Sequence, residues 1–554
     1  MEKYNISENP EANRLINNVA EELRVFSDGL IGRINKLTSI GIALSSEKHV
    51  PRLLEMIVNF AREFTNAEGG TLYTVSSDRK SLTFEILQNT KLNVHMGGTA
   101  GEITWPPVQL YEKDSKENFH NVSAYVALTG KTVNIPDVYD VKGYDFSGTR
   151  MFDEKNSYRS KSMLVVPLKD HENEIIGVLQ LLNAKSFVDE RIVKFSPEAE
   201  TIILSLASQA AVTLTQNELI HDLEKLFASV IRTIAKAIDE KSPYTAGHIK
   251  RVTSIAMTIA NKINEKTTGP FANIKLSDDE LKELQTAAWM HDMGKITTPE
   301  HIIDKATKLE KVYDRSCEIR VRFEVLRNME HLKFLNDKLS LLEKYKLNDI
   351  PACEAVYKEK INKINDDLEF ILRTNVGGEF LSPEKEERLR NIAKIKWICN
   401  GEEKTILTYE ELYNLSISRG TLTKEEKEKM QDHVRVTEVM LNELPFPSKL
   451  KNVPKIASAD HATLTGTGYH KHLKAEEIPL QARILALADI FEALSSRDRP
   501  YKKGKTISEV KKILEFMVKD KHIDKDLYDL FINDEIFKEY VKAEFLPEQI
   551  DVPI

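Results

Sequence analysis

The chain has 554 residues, of which 41% are hydrophobic and 30% charged, which is enough for about two to four domains with substantial cores. Its net charge of -8 and pI near 6.0 argue against a surface that binds duplex nucleic acid. No apolar run approaches the roughly 18 residues needed to cross a bilayer, and the N-terminus lacks an apolar signal core. We therefore expect a cytoplasmic protein without a membrane span, whose 3 cysteines are reduced thiols.

The N-terminal third predicts an α+β domain. Helical stretches around residues 11 to 65 are followed by short strand-like runs separated by turn residues: GGTLYTVS, SLTFEIL, KTVNIPDV, SMLVVPLKD and IIGVLQLLNA. Residues 134–186 resemble a GAF domain. We therefore expect an N-terminal helical segment at 1–48 and a GAF sensor domain at 49–190.

The ligand of this sensor stays open in the sequence. Five residues resemble, with compressed spacing, the NKFDE signature of the GAF domains of cyclic-nucleotide phosphodiesterases: Asn183, Lys185, Phe187, Asp189 and Glu190. A nucleotide, another small-molecule or redox effector, and a purely dimerising role all remain possible, because a fold alone does not fix a function.

Residues 191–240 predict a long linker helix, because apolar residues recur at spacings of three and four. Such a connector favours a parallel homodimer, through which the sensor would act on the second half of the chain. The expected seam is Leu204, Leu206, Ala207, Ala211, Leu214, Leu219, Leu223, Leu226 and Val230. The alternative is a helix that packs only within its own chain.

Two helical segments after the linker carry histidine. His248 begins a helix with an apolar stripe that includes Val252, Ile255 and Ile259. In LKELQTAAWMHDMGKI, the pair His291-Asp292 ends an apolar helical face, and Lys295 follows one turn later, where its ammonium could meet a phosphate oxygen. An isolated His-Asp pair is more often a core histidine beside an ion pair, but the neighbouring segments reverse that preference.

Further candidate ligands follow in the last third of the chain. His433 lies in an amphipathic helix, Asp460 and His461 are adjacent, and Asp489 lies within the apolar segment ARILALADIFEAL. An unpaired buried carboxylate is costly, so Asp489 needs a cation. Imidazole and carboxylate ligands without thiolate suit iron, manganese or zinc, and a carboxylate can bridge two ions, which would indicate a hydrolase.

Between these segments, residues 309–420 are rich in Glu, Lys and Leu at helical spacing and predict a helical hairpin. No cluster of ligands appears inside this insertion. It could shield a cleft, contact a partner subunit or bind a regulator, and the sequence does not choose among these roles.

Together, the motifs YTAGH, HDMGKI, GTGY and ADIFEALSSRDRPYK resemble, in this order, the HD-GYP family of the HD phosphohydrolase superfamily. The resemblance covers roughly residues 225–545. It implies a multidomain protein with an α+β GAF sensor domain, a long connecting helix and an all-α HD-GYP helical bundle, at 225–308 and 421–545, with an inserted helical hairpin.

The resemblance also implies a site and an activity. The metal ligands would be His248, His291, Asp292, His433, Asp460, His461 and Asp489. Lys295 and Asp292 would be catalytic, and substrate would contact Lys295, Gly466, Gly468, Tyr469, Arg499 and Lys502. Two or three divalent ions, iron or manganese with zinc possible, would support hydrolysis of cyclic di-GMP to pGpG or GMP. Asp239 or Glu240 is a candidate for the additional carboxylate of members with three metals.

The chain departs from the family pattern at two places. Asp460-His461-Ala462 stands where the family has His-His-Glu, and Thr465 and His470 flank the signature loop in place of Asp and Pro. The loss of an orienting carboxylate typically costs about 10- to 100-fold in affinity or activity. His470 and His472 could compensate as ligands, although exposed histidines are the commoner case there. Three functions remain: a cyclic di-GMP phosphodiesterase under sensory control, a weakened enzyme that acts as a receptor for the dinucleotide, and a phosphohydrolase of another nucleotide.

Overall fold

A computed structural model describes residues 9–47, 49–112, 115–241, 247–469, 473–496 and 504–553. The chain divides into two compact units, Met1–Lys225 and Leu226–Ile554. Among the described residues, none of the helices has the length and apolar character that a bilayer span requires.

The first unit is built around an antiparallel sheet. Its elements are α1 (Pro10–Ser46), α2 (Val50–Thr65), β1 (Ala67–Val75), β2 (Ser81–Asn89), β3 (Val94–Gly97), β4 (Val108–Gln109), α3 (Val122–Thr129), β5 (Val133–Ile135), α4 (Ser147–Asn156), β6 (Met163–Lys169), β7 (Ile175–Lys185) and β8 (Ile192–Val193). The strand order is β3-β2-β1-β7-β6-β5, with β4 paired to β2 and β8 to β7. The five strand-like runs of the sequence correspond to β1, β2, β5, β6 and β7, which confirms the α+β prediction.

Alternate residues of the central strands face opposite cores. Leu72 and Leu179 pack with α2, whereas Tyr73 and Val178 pack with α3 on the other face. The second face is rich in rings: Tyr73, Phe84 and Trp105 are in contact, and so are Phe119, Tyr125, Tyr144 and Phe146.

The five residues of the NKFDE-like stretch do not converge. Asn183 is fully buried and donates to Glu68 and to the Tyr158 hydroxyl, and Lys185 also pairs with Glu68. Phe187 is 79% exposed, and Asp189 pairs with Arg191 in the following turn. In this arrangement the first two residues stabilise the fold around a buried glutamate.

The predicted linker helix is continuous. α5 (Pro197–Asp239) is 43 residues long, and its first part packs against the sheet. Leu206, Ala207 and Ala211 are completely buried there, and Leu214 packs against the same core. The prediction that Leu206, Ala207, Ala211 and Leu214 face a partner was therefore wrong, because the core of the same chain already covers them, whereas Leu204 is 37% exposed. Leu219, Leu223, Leu226 and Val230 are 53%, 64%, 60% and 47% exposed.

The second unit is mainly helical. Its elements begin with α6 (His248–Glu265), α7 (Asp278–Met290) and α8 (Glu300–Ile303), and the insertion contains α9 (Ser316–Glu343), α10 (Ile350–Asn375), α11 (Pro383–Ala393), β9 (Lys396–Cys399), β10 (Glu402–Thr405) and α12 (Tyr409–Leu415). The bundle is completed by α13 (Lys424–Gln431), α14 (His433–Asn442), α15 (Val453–Ala457), α16 (Leu480–Ser495), α17 (Ile507–Lys519), α18 (Lys525–Asn533) and α19 (Phe537–Glu544). α6, α7 and α16 share one apolar core with α17 to α19.

The insertion is more than the helical hairpin that its sequence predicts. α9 and α10 pack side by side, with Phe334 stacked on Tyr357 at 4.5 Å. α11, α12 and the β9-β10 hairpin pack with them around a hydrophobic core of the insertion's own. The sequence did not indicate the hairpin because β9 alternates half-buried and exposed residues over only four positions.

Two buried lysines join the beginning of the insertion to its end. Lys305 pairs with Glu426 of α13 at 2.8 Å, and Lys308 donates to the carbonyls of Leu415 and Ile417. Burial lowers the pKa of Lys308 to about 8. Because α13 is followed almost directly by His433, the ion pair between Lys305 and Glu426 also holds the segment that carries His433.

Candidate metal centre

The candidate ligands lie at the ends of helices that meet in the core. His248 begins α6, His291 follows α7, His433 begins α14, and Asp489 lies within α16. α7 stops at Met290, so Lys295 lies in a 3-10 turn, Met293–Thr297, and not on a continued α-helix. The turn still brings its ammonium to Asp292.

These side chains converge. His248 Nε2 is 3.1 Å from Asp489 Oδ1, and His291 Nε2 is 3.8 Å from the same oxygen. Ligand atoms of His248, His291 and Asp489 all lie within 4.8 Å of one another, which is the spacing of groups that share one ion.

Asp292 occupies the centre of the group. Its Oδ2 lies 3.6 Å from His248 Nε2 and 3.3 Å from His291 Nε2, and its Oδ1 lies 3.7 Å from His433 Nε2. The two oxygens of one carboxylate therefore face different imidazoles. This is the arrangement expected of a carboxylate that bridges two ions.

Each histidine is oriented by its second ring nitrogen. Nδ1 contacts the Ala288 carbonyl in His291, the Met430 carbonyl in His433 and Glu492 Oε2 in His248, at 2.9, 2.5 and 2.5 Å. Donation from Nδ1 makes Nε2 the ring nitrogen that can bind a metal once it has lost its proton. Among the described residues, no hydrogen-bond partner reaches the buried His291 Nε2, His433 Nε2 or Asp460 Oδ2. These two imidazole nitrogens and one carboxylate oxygen are atoms of the types that bind divalent metal ions, so their lack of a hydrogen-bond partner fits a metal site.

Unbalanced negative charge dominates the electrostatics of the pocket. Burial opposes protonation of His248 and His291, but hydrogen bonds to Asp489 and Glu492 raise the pKa of His248 to about 10, and Asp292 raises that of His291 to about 9. Burial raises the pKa of Asp460. For Asp292, burial is outweighed by Lys295 and His291, which hold its pKa well below the usual range. Protons on imidazoles thus balance charge that divalent cations would otherwise balance.

Asp460 and His461 line one side of the pocket. Asp460 is 3% exposed, and its Oδ1 accepts the backbone N–H of His461. The His461 ring contacts the His433 ring at 5.3 Å, and Tyr469 lies over His461 at 4.9 Å. Tyr469 is 53% exposed, so a planar ligand can reach its ring from solvent.

The structure explains why Gly466 and Gly468 of the signature loop are glycines. Gly466 has φ 76°, a conformation that favours glycine. A Cβ on Gly468 would lie 2.8 Å from the Ala462 Cα and 2.8 Å from the His461 carbonyl oxygen. The loop can therefore pack tightly against the backbone that presents His461.

Several residues of the site were missed by sequence reasoning. Glu492 is 1% exposed, contacts His248 and pairs with Arg251 at 2.7 Å. A helical wheel would have indicated it, because Glu492 lies three residues after Asp489 on the same face. Thr437 accepts from the Gly294 N–H and donates to the His291 carbonyl, which joins α14 to the His-Asp segment. That contact had no signal in the sequence.

Of the two acidic residues that precede His248, Asp239 is buried and Glu240 exposed. Burial raises the pKa of Asp239 to about 6, and the charges of His248 and Asp292 also act on it. Arg499, Lys502, His470 and His472 lie outside the described residues.

Comparison with known families assigns the sheet unit and the helical unit to different families. The GAF domain family matches residues 49–214, and two HD domain families match residues 245–390 and 409–527. The chain carries a GAF domain and an HD domain. The HD matches include His248, His291, Asp292, His433 and Asp489. They also extend over residues 309–390 and 409–420 of the insertion, so that only residues 391–408 lie between the two matches.

Curated relatives match short stretches. A 3'3'-cGAMP-specific phosphodiesterase 3 of Vibrio cholerae is 38% identical over 96 residues, which are 17% of this chain and 20% of the relative. A cyclic di-GMP phosphodiesterase of Thermotoga maritima is 40% identical over 90 residues, 16% of this chain and 24% of the relative. The chain thus matches a fifth to a quarter of these relatives' length.

Among solved structures, the GAF domain of an Acinetobacter phosphoenolpyruvate-protein phosphotransferase is similar, with 14% identity and a TM-score of 0.26, covering 34% of this chain and 97% of that one.

Proposed function

We propose that the protein is a metal-dependent phosphodiesterase that hydrolyses cyclic di-GMP to pGpG or GMP. The observation that carries the proposal is Asp292, whose two oxygens face separate imidazoles in a buried pocket with unpaired donor atoms. The relatives named as cyclic-dinucleotide phosphodiesterases support a substrate of this class.

His248, His291 and Asp489 would hold one ion, His433 and Asp460 would contribute to a second, and Asp292 would bridge them, with His461 beside the group. Bound divalent ions supply a water nucleophile near neutral pH and neutralise charge on the phosphodiester. Lys295 contacts Asp292 at 2.5 Å and is 23% exposed, so its ammonium can exchange this contact for a phosphate oxygen. Tyr469 offers an exposed ring on which a guanine can stack.

The test combines metal analysis with chromatography of the products. The full chain, purified without chelators, should contain two or three equivalents of iron, manganese or zinc per chain and convert cyclic di-GMP to pGpG or GMP. Replacement Asp292→Ala should remove bound metal and lower turnover by more than about 100-fold, because even an orienting neighbour of a ligand contributes about 10- to 100-fold. The matched control is Asp526→Ala, an exposed carboxylate of the same domain. Full turnover by Asp292→Ala would refute the assignment.

A second candidate is a receptor that binds the dinucleotide with weakened turnover. The observation that favours it is Ala462, which packs against apolar neighbours where the family has a carboxylate. The double replacement Asp460→His and Ala462→Glu should raise turnover by about 10- to 100-fold if the departures weaken the enzyme. Unchanged turnover with intact metal content would instead show that the natural set is fully competent. Tight binding of cyclic di-GMP without products supports the receptor, and turnover of cGAMP or mononucleotides alone supports a different substrate.

We also propose that the GAF domain regulates the HD domain in a homodimer joined along α5, with a small-molecule effector as the input. Exposed apolar residues at alternating four- and three-residue spacing support this seam: Leu219, Leu223, Leu226 and Val230. The same spacing continues toward the start of α5 through Ser205, Gln209, Val212 and Gln216, which line a groove of about 850 Å³ between α1 and α5, but only Val212 of these four is apolar.

A further inference from the structure

The end of the connecting helix contacts the turn that carries Lys295. Lys241 follows the last residue of α5 by two positions, and its ammonium donates to the carbonyls of Lys295, Ile296 and Thr298 at 3.0, 2.6 and 2.6 Å. An ammonium has three protons to donate, so these contacts use its full capacity. A cation at the C-terminal end of a helical turn also meets the negative end of the aligned carbonyl dipoles.

The same turn presents two groups of the candidate site. Asp292 precedes it, the Lys295 N–H donates to the Asp292 carbonyl, and the Lys295 ammonium contacts the Asp292 carboxylate. The turn is short, so its own hydrogen bonds give it little independent stability. Its position therefore depends on contacts from outside, and Lys241 supplies them at the C-terminal end.

The last part of α5 is itself firmly placed in the second unit. Ile231 and Ile238 are buried in a core with Ala287 and Met290 of α7 and Leu441 of α14. α5 thus contacts the helices that precede His291 and follow His433, and Lys241 extends this attachment to the Lys295 turn.

We propose that Lys241 is a positioning residue that fixes the Lys295 turn to the end of α5. An axial or rotational shift of α5 would then move the Lys295 ammonium relative to Asp292, while the histidines stay held by their own helices. This proposal rests on the proposed function for its effect on turnover, but the physical contact can be tested without any substrate.

The test uses three variants of the full chain. Lys241→Met keeps an unbranched apolar stem and removes the donors, and Lys241→Arg retains donors. Lys236→Met is the matched control, at an exposed lysine in the last turn of α5. Hydrogen exchange of the peptide that contains residues 293–298 should be about tenfold faster in Lys241→Met, and close to wild type in Lys241→Arg and in the control. Metal content should be unchanged in all three.

The kinetic readout is separate. If the chain hydrolyses cyclic di-GMP, Lys241→Met should lower kcat by about tenfold at unchanged metal content, with rescue by Lys241→Arg. Wild-type exchange rates in Lys241→Met would overturn the proposal, and so would equal acceleration in Lys236→Met, which indicates general loosening of the helix. If the wild-type chain shows no turnover at all, the proposed function fails, while the exchange experiment still decides the role of Lys241.

Discussion

Single carboxylates and imidazoles set the charge of the pocket. Asp292, Asp460 and Asp489 lie close to His248 and His291. Burial lowers the pKa of both imidazoles, but these acids and Glu492 outweigh it and raise the pKa to about 10 for His248 and about 9 for His291. Burial lowers the pKa of His433, so this ring is neutral near pH 7. The acids that raise the pKa values of His248 and His291 would also favour divalent cations in this pocket.

This balance predicts a pH dependence of metal binding. Raised pKa values mean that His248 and His291 are protonated at neutral pH, so an incoming ion must displace their protons. Metal affinity should therefore increase with pH. The increase should be up to about 100-fold per pH unit, because each of the two displaced protons contributes about a factor of ten. Calorimetry of metal binding to the metal-free chain, in buffers of different ionisation enthalpy at pH 7, should detect this proton release. An affinity independent of pH between 6 and 8 would contradict the prediction.

At the scale of elements, the site depends on how closely two helical segments approach. Gly294 lies directly against α14, where a Cβ would meet the His433 carbonyl oxygen at 1.9 Å and the Thr437 backbone nitrogen at 2.8 Å. Thr437 bridges the same contact with two hydrogen bonds. The glycine two residues after Asp292 therefore allows His433 to approach Asp292 this closely.

Replacement Gly294→Ala should push α14 away and weaken metal binding by at least about tenfold. The overpacked contact should also cost about 1–3 kcal/mol of stability. Metal titration and thermal unfolding measure the two effects. Gly378→Ala is the control, because a Cβ there meets nothing within 4 Å. Equal metal affinity in both variants would show that His433 is placed by other contacts.

At the scale of the whole molecule, α5 belongs to both units, since it starts on the sheet and ends in the helical core. Its exposed apolar residues Leu219, Leu223, Leu226 and Val230 lie between these two attachments. Four such side chains exposed in a row are unusual for a helix that packs only within its chain.

Replacements Leu223→Asp and Leu226→Asp should convert a dimer into a monomer, because a charge in a coiled-coil seam loses its hydration on association. Sedimentation equilibrium of the full chain measures the change. His221→Asp, on the side of α5 opposite to the seam, should leave the association state unaltered. A monomeric wild-type chain, or a double variant that stays dimeric, would exclude this interface.

The division into a GAF domain, a long helix and an HD domain was readable from the sequence, and so were most of the side chains that converge in the candidate site. Strand alternation, helical periodicity and the motifs around His248, His291 and Asp489 each depend on residues that are close in the sequence, so they can be recognised without the structure. The buried part of the α5 seam could not be separated from the exposed part, because periodicity shows that a face is apolar but not what covers it.

Only tertiary structure decided the contacts between distant segments. Glu492 on His248, Thr437 on the His-Asp segment, the closeness of Gly294 to His433 and the contacts of Lys241 all join residues that are separated by about 50 to 240 positions. The sequence by itself determined which groups could bind metal. Packing of α6, α7, α14 and α16 determined that these groups face one another, because the orientation of a side chain depends on neighbours that no local pattern records.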